Sequence, residues 1–299
     1  MKKTILLLSI IISSISVSAQ MLKPYMLASV ASDINSAKTT VKSNLSEAGF
    51  TVVGEYKPAE DQNRWVLIVS HGELDNAVKT VGGLTGFAST LRVALTKEAG
   101  VVNISYTNPP YWGNAYFRDD FSKVEDNFKK VALAFETALN GVGESKNSPF
   151  GSEEGVEVDE LRNYHYMFGM PYFDETKEFG KFDNYEDIVA QIAKSLKWGK
   201  PGVALVYQYD VPGAKLSLYG FALSGETGET NFMPKIDITE PKHTAFLPYE
   251  LLVMDNEVHM LHGRFRIALS FPDLTMGTFT KIMSTPGDIE DLLKQLVEE

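Results

Sequence analysis

The period of hydrophobic and polar positions changes along this chain in a regular order. Residues 25–30 form a short apolar run of strand character. Ile34, Ala37, Val41, Leu45 and Ala48 then recur at helical spacing, with Ser32 placed to cap the start and Gly49 to end it. Residues 50–56 and 65–70 are rich in β-branched and aromatic side chains and predict two strands. Leu74, Ala77, Val78 and Val81 predict a short helix closed by Gly82-Gly83. Strands at 91–96 and 101–107 turn about Glu98-Ala99-Gly100. Phe121, Val124, Phe128, Val131, Phe135 and Leu139 then mark a long amphipathic helix, with Asp119 and Asp120 at its positive end.

The second half repeats this order. Residues 164–168 predict the opening strand, and Asp183 with Glu186 forms a capping box for a helix carrying Ile188, Ile192 and Leu196. Strands at 203–209 and 215–223 flank Pro212-Gly213. Residues 247–254 and 258–271 predict a second hairpin about Asp255-Asn256. Thr285 and Pro286 open a last helix whose apolar face is Ile289, Leu292, Leu293 and Leu296. Between the halves, residues 141–158 are rich in Gly, Ser, Glu and Asn and predict a linker. The fold class expected is therefore α+β: two tandem β-α-β-β-β-β-α repeats over 24–140 and 159–299. Each repeat is an antiparallel sheet with its helices packed on one face. The other face of each sheet is then free to meet its sister, solvent or a ligand.

The N-terminus carries a different pattern. Lys2 and Lys3 precede an apolar stretch over 5–15, and Val17-Ser18-Ala19 supplies small residues for cleavage, so residues 1–19 are expected to be a secretory signal peptide. The apolar core is short for a membrane span, and no second stretch of about 20 apolar residues follows. A periplasmic or extracellular protein is implied, with no stable membrane span after cleavage.

Composition narrows the chemistry. With no cysteine in 299 residues, thiol catalysis, thiolate metal sites and disulfide staples are all excluded, and each half must fold on packing alone. The net charge is −11, and loss of Lys2 and Lys3 with the signal makes it more negative by two. Such a surface repels phosphate backbones and anionic headgroups, which disfavours nucleic acid and membrane surfaces as partners.

The hairpin segments 91–109 and 247–271, with their upstream helix-strand-strand blocks, resemble the domain of unknown function 302. The stretch Tyr164-His165-Tyr166-Met167-Phe168-Gly169-Met170-Pro171-Tyr172-Phe173-Asp174 and the later Ser270-Phe271-Pro272-Asp273-Leu274 are similar to tandem members of that family. The resemblance covers nearly all of the mature chain. It implies an α+β fold of the TATA-binding-protein-like class and brings no catalytic residues or cofactor with it.

Few residues suggest chemistry. His262, Arg264 and Arg266 alternate along the strand expected at 258–271 and share a face there, a grouping suited to an anion. The bland alternative is a solvated face whose arginines pair with Glu250 or other strand acids. His259 and His262 are spaced for one face of a helix but point apart on a strand, so no metal site is expected, with His243 the one further histidine nearby. Tyr111 and Trp112 head an aromatic run that suits ring stacking or, equally, a seam between domains. Gly82-Gly83-Leu84-Thr85-Gly86 and Gly225-Glu226-Thr227-Gly228 lack the features of a phosphate loop. Ser70-His71 has no hydrolase motif around it. The expectation is a non-enzymatic protein, without cofactor, that binds a small molecule or an envelope partner at the sheet faces or the seam. An enzyme acting on a small anion through the His/Arg group and a purely structural domain are the alternatives.

Overall fold

The computed structural model describes residues 20–298, so the export signal read in residues 1–19 lies outside the described residues. The first half comprises β1 (Met21–Leu22), β2 (Tyr25–Ala31), α1 (Ile34–Glu47), β3 (Phe50–Tyr56), β4 (Arg64–His71) and α2 (Gly72–Val81). It continues with β5 (Leu91–Glu98), β6 (Val101–Thr107), α3 (Pro109–Phe117), α4 (Glu125–Leu139) and β7 (Glu144–Phe150). After β8 (Val156–Glu157) and α5 (Val158–Arg162) come β9 (Lys177–Lys181), α6 (Tyr185–Trp198), β10 (Val203–Asp210), β11 (Leu216–Leu223) and α7 (Glu229–Ile236). The chain ends with β12 (Tyr249–Met254), β13 (Glu257–Met260), α8 (Gly263–Ser270), α9 (Met276–Phe279) and α10 (Thr285–Lys294).

The fold is α+β with antiparallel sheets. A six-stranded sheet runs β3-β4-β5-β6-β2-β7 and a five-stranded sheet β10-β11-β12-β13-β9, while β1 pairs only with β8. Leaving β7 aside, the strands follow one another in the same order in both sheets. Among the described residues no helix is long and apolar enough to cross a membrane.

Several boundaries differ from the sequence reading, each for a physical reason. Segment 141–158, expected as a linker, contains β7, the outer strand of the first sheet. Its residues are exposed except Phe150, so it has the composition of a loop. Residues 164–168 are not a strand. Tyr164 and Tyr166 instead reach the carbonyls of Ala268 (3.0 Å) and Leu274 (2.9 Å), and the polar run β9 takes the place beside β13. The strand expected over 258–271 stops at Met260, and α8 follows. Because Phe265 to Ser270 are all buried, that helix shows no one-sided pattern to distinguish it from a strand. Caps shift by a residue as well. Asp33, not Ser32, accepts from the amide of Ser36 (2.8 Å), and Asn184, not Asp183, from that of Asp187 (3.0 Å). Thr285 is already helical, with Ser284 at the cap position.

The faces left uncovered by helices are not open. Along β11, Leu216 and Leu218 join the first half's core, whereas Tyr219, Phe221 and Leu223 pack with Ile188 and Ile192 of α6 and Ile289 and Leu293 of α10. Burial of each such side chain stabilises the fold by ~1.5–3 kcal/mol, so the seam is a substantial part of the core.

Contacts across the seam are reciprocal. The outer strands β3 and β10, counterparts in the two halves, touch each other. The 3-10 turn Gly83–Ala88 lies on β11 and β12, and its counterpart Thr244–Phe246 lies on β4 and β5. At the centre, Glu250 of β12 is clamped between Arg92 of β5 and Arg266 of α8, all three at most 4% exposed. The hydroxyl of Tyr207 donates to the same carboxylate. Burial pushes the Glu250 carboxyl up, but the two guanidinium groups outweigh that and hold it below the usual range. Two cations and one anion leave a formal excess of positive charge. Nη2 of Arg266 directs part of it to the carbonyls of Phe246 (2.8 Å) and Pro248.

Candidate functional site

The anion group expected from the sequence does not assemble. On α8, residues two apart point roughly 200° away from each other. Arg266 turns inward to Glu250 and is 4% exposed, while Arg264 faces outward. His262 caps the helix, its Nδ1 accepting from the amide of Arg264 at 3.2 Å. Burial, with Lys177 and Arg264 nearby, lowers the pKa of His262. His262 and Arg264 do border an open surface cleft of ≈ 420 Å³ together with His165, Tyr172 and Glu175. Tyr111 and Trp112 are interior residues. The Tyr111 hydroxyl donates to the carbonyl of Leu269 and the Trp112 indole to that of Pro24, both at 2.8 Å, so neither ring is offered to a ligand. His259 bonds Thr176 (2.9 Å) and Glu257 (3.1 Å). Among the described residues no group of three or more His, Asp or Glu is placed to hold a metal ion.

A larger cleft, ≈ 530 Å³, opens at the rim of the seam. Its wall from the first half is Lys23 and the end of β7 with the turn after it, Pro149 to Glu153. Its wall from the second half is the end of α7, the loop through Ile238 and Thr239 to His243, and the residues from Phe271 to Thr278. Asp273 ties the walls together, accepting from Ser152 Oγ (2.9 Å) and from the amide of Glu153 (2.6 Å). The loop before His243 is fixed from below. Asp237 accepts from the amide of His243 (2.8 Å) and pairs with Arg64 of β4.

His243 is the distinctive group in this cleft. Its ring stacks on Phe271 with centroids 4.6 Å apart and is flanked by Tyr25 at 5.0 Å and Phe150 at 5.9 Å. Nδ1 lies 3.1 Å from the carbonyl oxygen of Ser270. A carbonyl only accepts, so Nδ1 carries the hydrogen and Nε2 presents a lone pair. Burial lowers the pKa of the imidazole more than Asp237 and the Ser270 carbonyl raise it, which keeps the ring neutral at neutral pH. The residue is only 5% exposed, yet Nε2 is not a buried unpaired atom: without a hydrogen-bond partner among the described residues, it reaches solvent. A fixed, neutral acceptor set in an aromatic wall can orient a ligand donor.

Sequence reasoning passed over His243 except as a possible third metal ligand, yet a signal existed. Thr244-Ala245-Phe246 matches Thr85-Gly86-Phe87, lying in the 3-10 turns before β12 and β5 respectively. The residue before the first motif is Leu84 and before the second is His243. A histidine where the matching turn of the first half has leucine marks a difference between the two halves.

Compared with models of known protein families and with curated proteins, the chain matches none.

Proposed function

We propose that this chain is an exported, non-enzymatic protein that holds a small molecule in the cleft at the rim of the seam. The observation that carries this reading is Nε2 of His243, which has no partner among the described residues and belongs to a ring that lines the cleft beside Phe271 and Phe150. Volume supports it, since ≈ 530 Å³ falls within the range of about 300–1,000 Å³ typical of small-molecule sites. So does position, because both halves build the walls and Asp273 joins them. No hydroxyl hydrogen-bonds to Nε2 among the described residues, which favours binding over nucleophilic catalysis. The inward turn of Arg266 weakens the alternative of an enzyme acting on a small anion.

The two halves are proposed to descend from one duplicated unit related to the domain of unknown function 302. The shared strand order and the paired Thr-x-Phe turns support this. Export rests on the sequence of residues 1–19 and the absence of cysteine.

The test is a small-molecule screen by two-dimensional NMR on the mature protein. Ligands of this cleft shift the resonances of His243 and Phe271, and Ile238→Trp, which places bulk at the exposed mouth, abolishes those shifts. Hits that leave His243 unmoved and bind the variant equally would refute the assignment.

A further inference from the structure

The ≈ 530 Å³ cleft shares Ser152, Glu153 and Asp273 with a second cleft of ≈ 410 Å³, so the two adjoin along that ridge. Across both linings there are five carboxylates, Glu153, Glu154, Glu160, Glu240 and Asp273, and one cation, Lys23. Nζ of Lys23 donates one of its three hydrogens to the backbone carbonyl of Glu153 at 2.8 Å, and its single charge is outnumbered by the carboxylates. The larger cleft also has an apolar part, Phe150, Ile236, Ile238, Phe271 and Leu274, beside the hydroxyls of Ser152, Thr239, Thr275 and Thr278.

We propose that the ligand of this trough is an organic cation, an ammonium group carried on an apolar body. The ammonium donates one N–H to Nε2 of His243, and its charge is balanced by Glu153, Glu240 and Asp273. The apolar body lies against Phe150, Phe271 and, at the mouth, Ile238. This inference rests on the cleft reading given above and adds the sign of the ligand charge to it.

Two independent features converge on a cation. The acidic lining alone would be an ordinary solvated face of an acidic protein. His243 adds a largely buried residue whose Nδ1 is held by the Ser270 carbonyl and whose solvent-reaching Nε2 accepts and does not donate. An ammonium group brings only donors, so it satisfies such an acceptor and the carboxylates together. Aromatic faces beside the site favour a cation further. An anion would meet repulsion from the carboxylates and find no free donor at the imidazole.

Isothermal titration of the mature protein with three probes of one shape tests the claim: 2-phenylethylammonium, 2-phenylethanol and 3-phenylpropionate. At low salt the ammonium probe is expected to bind at least about tenfold more tightly than the alcohol, with the carboxylate weakest. The gap narrows as salt screens the charges. Glu240→Gln lowers ammonium affinity several-fold and leaves the alcohol unchanged, while His243→Phe weakens both. If the alcohol shifts the His243 resonances and the ammonium binds no more tightly, the cation assignment falls and the cleft stands. If no probe at millimolar concentration moves His243, both fall.

Discussion

The hydroxyl of Tyr56, at the end of β3, donates to Oε1 of Glu229, the first residue of α7 in the other half, at 3.0 Å. The counterpart strand and helix return the contact: Tyr209 of β10 donates to Asp75 in the first turn of α2 at 2.8 Å. Both pairs follow from one sequence relation, since Val53-Gly54-Glu55-Tyr56 and Val206-Tyr207-Gln208-Tyr209 occupy the same place in their halves. Each half therefore closes a helix N-terminus of the other.

Glu229 should make stability fall as pH rises. Burial raises its pKa from 4.5 to about 7, although the amides of Ala59 and Leu223 and the Tyr56 hydroxyl all donate to it. Between those pH values the folded state keeps a proton that the unfolded state has released. The contribution is thus complete below pH 4.5 and lost by the time pH has passed 7. A shift of this size corresponds to ~3 kcal/mol. Urea denaturation at pH 5 and pH 8 is expected to show a steeper decline for the wild type than for Glu229→Gln. Parallel declines would remove Glu229 as the cause.

The Arg92–Glu250–Arg266 cluster predicts a severe mutant. Glu250→Gln leaves two buried guanidinium groups without their anion, and removal of one partner from a buried pair costs about 3–5 kcal/mol. A loss under about 1 kcal/mol in chemical denaturation would mean that the Glu250 charge is not what holds the two arginines, of which only Arg266 has the carbonyls of Phe246 and Pro248 as further partners.

The crossing of β3 and β10 depends on Gly54. A Cβ there would lie 2.7 Å from Cβ of Tyr207 and 2.8 Å from the carbonyl oxygen of Val206. Two large side chains cannot both occupy this crossing. The first half supplies glycine and the second Tyr207, whose hydroxyl lies 3.0 Å from Thr90 Oγ1. Gly54→Ala is expected to destabilise the protein by about 1–3 kcal/mol. Trimming Tyr207 in the same chain should not restore it, because the backbone clash with Val206 remains. Thermal denaturation of the single and double variants decides between a backbone and a side-chain origin.

His243 should remain the Nδ1–H tautomer and titrate below 6.5, since burial disfavours its charged form. Nitrogen-detected NMR of the ring during acid titration reads both properties. Because the folded-state pKa is depressed, this residue contributes stability above its unfolded value that is lost as pH falls. An Nε2–H tautomer, or a midpoint at or above 6.5, would remove the acceptor on which the ligand reading depends.

The sequence pattern revealed some elements and hid others for identifiable reasons. Helices α1, α4 and α6 each bury one stripe, such as Phe128, Val131 and Phe135, so their period was plain. Helices α3 and α8 are buried on nearly every side, which erases the period, and Phe265, Ile267 and Leu269 then look like one face of a strand. The same error placed Arg264 and Arg266 together when helical geometry sends one to solvent and the other to Glu250. Strand β7 was hidden by its outer position and polar surface. His243 was hidden because its meaning lies in three-dimensional neighbours, Tyr25, Phe150 and Phe271, drawn from distant parts of the chain.

Native mass spectrometry of the protein recovered from its own host is the most direct test of a ligand held at the seam. A retained small-molecule mass on the wild type, lost in Ile238→Trp purified in parallel, is the predicted result. An apo mass for both proteins, with identical melting temperatures in host extract, would contradict it.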